Sequence, residues 1–192
     1  MNLLQKIFSV RNEQYHKVIY ICGLKLKFRR LDYNNGNMII LVDKTGKEQI
    51  VKSNYFKGLR INLSGNSNLI RIHEPYNFSN CILSMSGSSN YFEIHKSSYA
   101  LNKVNFNIGL PGNNRKVIIG ENFSVGGETL LINNINNGEI IVGDDCMFSA
   151  GIHIRVDDGH VICKKGSTEI LNKGGFVYIG NHVWLGRHVF IN

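Results

Sequence analysis

Proline is nearly absent from this chain, two residues in 192, and tryptophan occurs once, as Trp184. The four cysteines, Cys22, Cys81, Cys146 and Cys163, form no Cys-x-x-Cys pair, which excludes the common zinc-site spacings. All four fall in apolar runs and so predict buried free thiols in a reducing compartment. No apolar run approaches the roughly 18 residues of a membrane-spanning helix. The nearest, "KVIYICGLKLKF", is short and carries three lysines. Lys6, Arg11 and Glu13 interrupt the apolar core that a secretory leader requires, so no leader is expected, and the cytoplasm is the expected compartment.

Acidic residues are also scarce, 14 against 22 basic ones, for a net charge of +8. Much of the surplus lies early, in Lys6, Arg11, Lys17, Lys25, Lys27, Arg29 and Arg30. Such a balance suits nucleic acid, an anionic membrane face or a phosphorylated small molecule. No helix-turn-helix, zinc-finger or RRM pattern accompanies it, so nucleic acid is not an expected partner. Peripheral contact with an anionic membrane face stays open.

Helical periodicity is lacking too. Leu3 to Val10 has the pattern of a short helix start; after Val18 the chain reads as short β runs cut by Gly, Asn and Ser. Stretches such as "NNGN", "SGNSN" and "INNINNG" supply turn chemistry many times over. "MIILV" and "KEQIV", joined by "DKTG", predict a hairpin.

The β runs repeat. "INLSGNSNLIRIHE" aligns with "LSMSGSSNYFEIHK", matching Gly65 to Gly87, Asn68 to Asn90, Ile72 to Ile94 and His73 to His95, a step of 22 residues. A further 22 reaches Gly109, and Gly120 to Gly143 is a step of 23. A near-constant step of β runs and turns predicts a solenoid, in which stacked rungs bury a shared core. Within a rung, apolar residues recur every six positions: Ile119, Val125, Leu131; Val142, Phe148, Ile154; Ile179, Leu185, Ile191. A β-sandwich would alternate in twos. The period of six favours a three-sided coil with these residues inward. The expected organisation is a strand-rich N-terminal segment over 1–60 and a parallel β-helix over 61–192.

The units "VIIGENFSVG", "IIVGDDCMFSAGIHI" and "VYIGNHVWLGRHVFI" resemble the hexapeptide-repeat acyltransferases, whose fold is an all-β, left-handed parallel β-helix. The match covers about 117–192, and the earlier rungs fit loosely. Handedness follows from the resemblance alone. "DDGH" followed by "IGNHVWLG" is similar to the loop and coil of the sugar O-acetyltransferases in that family, and it implies that His160 is the catalytic base. An acceptor loop at about 156–175 accounts for the step of 37 from Gly143 to Gly180. The opening "FSVRNEQYHKVIYICGLKLKFRR" resembles a leader of bacterial surface-polysaccharide transferases. Further coils normally follow in the family. The final coils are therefore expected to be missing from a chain that stops at Asn192, as in a fragment or a truncated gene.

The resemblance implies acetyl-CoA as co-substrate, a saccharide acceptor and a homotrimer. A neutral imidazole can take a hydroxyl proton during attack on a thioester. Asp157, Asp158 or a backbone carbonyl can orient its other nitrogen. Oxyanion donors are expected among the backbone N–H groups near Ser149 to Gly151 or near Gly186. Trp184, Gly186, Arg187 and Ser149 are the expected acetyl-CoA contacts. His153, His182 and His188 are read as structural, and no metal is expected. The function implied is acetyl-CoA-dependent O-acetylation of a bacterial surface saccharide, a capsule or lipopolysaccharide precursor. The alternatives are a non-catalytic β-solenoid for carbohydrate binding or assembly and an amino-sugar N-acetyltransferase.

Overall fold

The computed structural model describes residues 8–13, 16–21, 24–29, 34–172 and 174–192. It divides into two compact units, 1–34 and 35–192. In the first, Phe8–Glu13, His16–Ile21 and Leu24–Arg29 form an antiparallel sheet in that order. The short helix expected from Leu3 is not formed at Phe8 to Val10, which are strand, and Leu3 to Ile7 lie outside the described residues. Lys6, Cys22 and Arg30 lie outside them as well.

The second unit is a parallel β-helix with three faces. The first face stacks Met38–Val42, Leu69–His73, Tyr91–Ile94, Lys116–Ile119, Glu139–Val142 and Phe176–Ile179. The second stacks Phe78–Ser79, Leu101–Asn102, Ser124–Val125, Met147–Phe148 and Trp184–Leu185. The third runs from Leu59–Leu63 through Cys81–Met85, Val104–Ile108, Thr129–Ile132 and Ile152–Arg155 to Phe190–Ile191. The expected hairpin is present, with Glu48–Ile50 antiparallel to Met38–Val42. Parallel stacking already begins at Met38–Val42, which pairs with Leu69–His73, so the β-helix starts ahead of residue 61.

Strands of two to five residues form because apolar side chains alternate inward at each pleat. Ile119, Val125, Leu131, Val142, Phe148, Ile154 and Ile179 are buried, as the period of six predicts, while Leu185 and Ile191 pack half-buried against the same core. Each fully buried side chain of this size contributes about 1.5–3 kcal/mol. Cys81 and Cys146 are buried free thiols; Cys163 is exposed, because its apolar run lies on a loop outside the helix.

Corners carry the turn chemistry. Asn80, Asn114, Asn122 and Asn137 all have φ between 54 and 58°, where asparagine is tolerated. Gly87 has φ +92°, and a Cβ there would stand 1.9 Å from the Gly112 carbonyl of the next coil. This contact corrects the counting of coils: the residue above Gly87 is Gly112, not Gly109. On the third face Met85 does pair with Ile108, a step of 23, but on the first face Tyr91 pairs with Lys116, a step of 25. The extra residues sit at the corner around exposed Leu110.

A buried polar ladder runs beside the core. The Asn37 Oδ1 accepts from the backbone N–H and Nδ2 of Asn68, and Asn68 Oδ1 accepts the same pair from Asn90. The next rung is Arg115, whose N–H and Nε donate to Asn90 Oδ1 at 3.0 and 3.1 Å. Its guanidinium also donates to the carbonyls of Asn133, Gly112 and Ser86. Arg115 is fully buried, and burial pushes its pKa down. Backbone carbonyls replace the water it loses.

Candidate active site

The chain leaves the β-helix after Ile152–Arg155 and rejoins it at Phe176–Ile179. The excursion does not disturb the stack: Val142 pairs with Ile179, 37 residues on, in the register by which Ile119 pairs with Val142, 23 residues on. The Gly175 N–H donates to the Val156 carbonyl at 3.2 Å and closes the neck. Further out, the two arms meet at an antiparallel bridge between Cys163 and Ile170.

At the near arm, the polar residues of "DDGH" bond to their own backbone. Asp157 Oδ1 accepts the Gly159 N–H at 3.0 Å, and Asp158 Oδ1 accepts the His160 N–H at 3.1 Å. Side chains of this length cap the backbone two residues on, and Gly159 takes φ +79°. The His160 Nδ1 lies 3.2 Å from the Asp158 carbonyl. A carbonyl only accepts, so Nδ1 donates and the neutral ring keeps its lone pair at Nε2. Asp157 is turned elsewhere, with Oδ1 3.2 Å from Arg155 Nη2. Asn172 joins the loop from the far arm, donating to the Asp158 carboxylate and accepting the Ile162 N–H. The bonds from His160 N–H and Asn172 hold the Asp158 carboxyl below its ordinary value.

His160 borders an open cleft of about 400 Å³, together with Leu110, Asn134, Ile135, Arg155 and Asp157. Two of these residues carry buried polar atoms without a partner among the described residues, Arg155 Nε and Asn134 Oδ1. Neither residue stood out in the sequence. Arg155 belongs to the "IRVDDGHVI" stretch, but nothing in that pattern indicates that its Nε is enclosed. Leu110 reaches the cleft from a coil whose length the repeat count misjudged.

The structure places Trp184, Gly186, Arg187 and Ser149 away from His160, on the second face and its corner. Trp184 is 70% exposed and pairs with exposed Met147 one coil below. Gly186 and Arg187 follow it at the surface. The N–H groups of Ser149 and Gly151 donate to the carbonyls of Leu185 and Glu128 at 2.9 and 2.7 Å. They are committed to coil stacking, so they do not serve as the expected free oxyanion donors. Among the described residues, no hydrogen bond links this group to His160. His153 packs its ring 4.7 Å from that of Phe190, and His182 and His188 hold corners at φ 58 and 56°.

No known protein-family model matches the chain. It is 50% identical over 54 residues, 28% of its length and 25% of the relative's, to a polysialic acid O-acetyltransferase of Neisseria meningitidis. It is 33% identical over 76 residues, 40% of its length and 24% of the relative's, to a polysialic acid O-acetyltransferase of Escherichia coli O1:K1 / APEC. The chain thus spans about a quarter of the length of the curated relatives it matches. Among solved structures it is similar to the polySia specific acetyltransferase NeuO, with TM-score 0.61 and 22% identity, over 81% of this chain and 65% of that one. That likeness is one of fold.

Proposed function

We propose that this chain is a hexapeptide-repeat O-acetyltransferase that transfers an acetyl group from acetyl-CoA to a hydroxyl of a bacterial capsule saccharide. The observation that carries the reading is the His160 cleft. An imidazole oriented by a carbonyl borders an open cleft with both apolar and polar walls, on a loop that the β-helix holds without losing register. The named relatives support the same reaction class.

In this reaction His160 Nε2 accepts the proton of the acceptor hydroxyl as its oxygen attacks the thioester carbonyl. The C–O bond forms, the tetrahedral intermediate collapses, and the C–S bond breaks. The imidazolium returns its proton to the leaving thiolate. The Asp158 carbonyl keeps Nδ1 protonated throughout and so fixes which nitrogen does the work. Asp157 acts through Arg155, which it tethers at the wall of the cleft. Trp184, with Ser149, Gly186 and Arg187, forms the acetyl-CoA side of the site. These residues lie on another face of the same chain, and a homotrimer with parallel axes brings them to the His160 cleft of a neighbour. Exposed Phe176, Tyr178 and Phe190, with Trp184, offer the apolar surface for that contact. Among the described residues no helix is long and apolar enough to cross a membrane. The free thiols of Cys81, Cys146 and Cys163 suit the cytoplasm.

The test is thiol release from acetyl-CoA in the presence of capsule polysaccharides and lipopolysaccharide precursors. Expected are acceptor-dependent release and a loss of about 10²–10⁴ in kcat/KM for His160→Ala. The melting temperature should not move, because the ring is exposed and its removal opens no cavity. Trp184→Ala should raise KM for acetyl-CoA. Wild-type kcat/KM in His160→Ala refutes the assignment, and saccharide binding without turnover by the wild type favours a non-catalytic solenoid.

A further inference from the structure

The sequence repeat aligned His73 with His95, and the proposed reaction uses neither. The structure stacks them on adjacent coils of the first face. Ile72 pairs with Ile94, so the two histidines project from equivalent positions, their rings 4.6 Å apart. Glu93 lies between them. Its Oε1 is 2.8 Å from His73 Nε2, and its Oε2 is 4.0 Å from His95 Nε2. The three donor atoms all lie within 4.8 Å of one another. All three side chains are more than half buried, at 20, 14 and 34% exposure.

We propose that His73, Glu93 and His95 form a binding site for a divalent transition-metal ion of the zinc class. Ligand atoms bound at about 2.0–2.1 Å around a tetrahedral ion stand roughly 3.4 Å apart. The observed 2.8 and 4.0 Å bracket that separation. Closing on an ion therefore needs ring rotations, with no movement of the coils. The coils supply what a loop does not, two imidazoles held at strand spacing by a rigid ladder. Two neutral nitrogens and one carboxylate select zinc, cobalt or nickel over magnesium and calcium. Three protein ligands leave one coordination position for water or an anion.

The neighbours support a cation. Tyr91 donates its hydroxyl to Glu93 Oε2 at 2.5 Å and orients the carboxylate, as outer-shell partners of metal ligands do. Among the described residues Arg71 is the cation paired with Glu93, 3.3 Å from its Oε1, but Glu48 engages it at 2.6 Å. With the imidazoles neutral, two carboxylates face one guanidinium and the cluster keeps a negative charge. Neither the cysteine spacing nor the histidines of the last coils signals this pair, which differs from the absence of metal that the sequence predicts.

The test is titration of the chelator-stripped protein with zinc chloride, followed by calorimetry and thermal unfolding, with cobalt absorption reporting coordination geometry. Expected are one tight equivalent per chain, a melting temperature that rises with zinc, and no response to magnesium or calcium. His73→Ala and His95→Ala should each abolish this site. Tyr91→Phe should weaken it about 10–100-fold. His160→Ala, His182→Ala and Cys163→Ser should leave it intact. Zinc-free circular dichroism checks each variant's fold, and where an alanine variant does not fold, His73→Gln or His95→Gln decides in its place. A wild type that takes no zinc, or zinc binding that survives loss of either histidine, overturns the proposal.

Discussion

One side-chain amide ties the two arms of the loop together: Asn172 Nδ2 donates to Asp158 Oδ1 at 2.9 Å and to Oδ2 at 3.1 Å. The same group donates to the His160 carbonyl at 2.5 Å, and Asn172 Oδ1 accepts the Ile162 N–H at 2.7 Å. The histidine turn is therefore bonded on both sides by one residue 12 positions away.

Asn172→Ala should slow the proposed transfer. The imidazole remains, but its turn is freed, and a displacement near 1 Å costs about 10²-fold. Asn172→Asp should be worse than alanine. It keeps the acceptor for Ile162 and sets a second carboxylate against Asp158. Both variants should unfold within about 1 kcal/mol of wild type, since the contacts lie outside the core. Steady-state kinetics and denaturant melts check this, and an aspartate variant more active than the alanine one counts against the account.

Asp158 predicts an acid limit for the loop. The His160 N–H, then the Asn172 amide, hold its carboxyl below the ordinary 3.8. A depressed carboxyl contributes order that is complete above the unfolded value and is lost as pH falls through the folded value. An NMR titration of the Asp158 carboxyl should give a midpoint under 3.8, with the Asn172 side-chain amide moving in step. Asn172→Ala should raise the midpoint. A wild-type midpoint at or above the ordinary value would contradict the bonding described.

The polar ladder predicts an unequal pair of asparagines. Asn90→Ala strips the acceptor from the buried N–H and Nε of Arg115 and should cost about 2–5 kcal/mol. Asn62→Ala, which removes an exposed bond to Ser84, should cost under about 0.5 kcal/mol. Urea unfolding measures both.

Much of this was legible in the sequence, because a coil writes its geometry into its spacing. The period of six in Ile119, Val125 and Leu131 is the inward direction of three successive faces, and the Gly143–Gly180 step announced the loop. The repeat also lined up Asn68 with Asn90 and His73 with His95, yet it could not say that one pair is buried and the other surrounds a carboxylate. Spacing fails where a residue changes type while keeping its place. Arg115 continues an asparagine ladder with a side chain that no periodicity search equates with asparagine. It fails again at corners, where residues around Leu110 enter without shifting the core. The contacts of Asn172 depend on how a loop folds back, which has no period at all.

The unbroken register across the loop has an evolutionary corollary. Because Val142 meets Ile179 as Ile119 meets Val142, the core registers only where the chain departs and returns, not what it visits between. Residues 161–171 can thus be exchanged or lengthened as a cassette, provided the His160 turn, its Asn172 partner and the Val156–Gly175 closure survive. Inherited variation can then reshape the rim of the proposed acceptor cleft in a single step, independently of the slow drift that the packed interior permits.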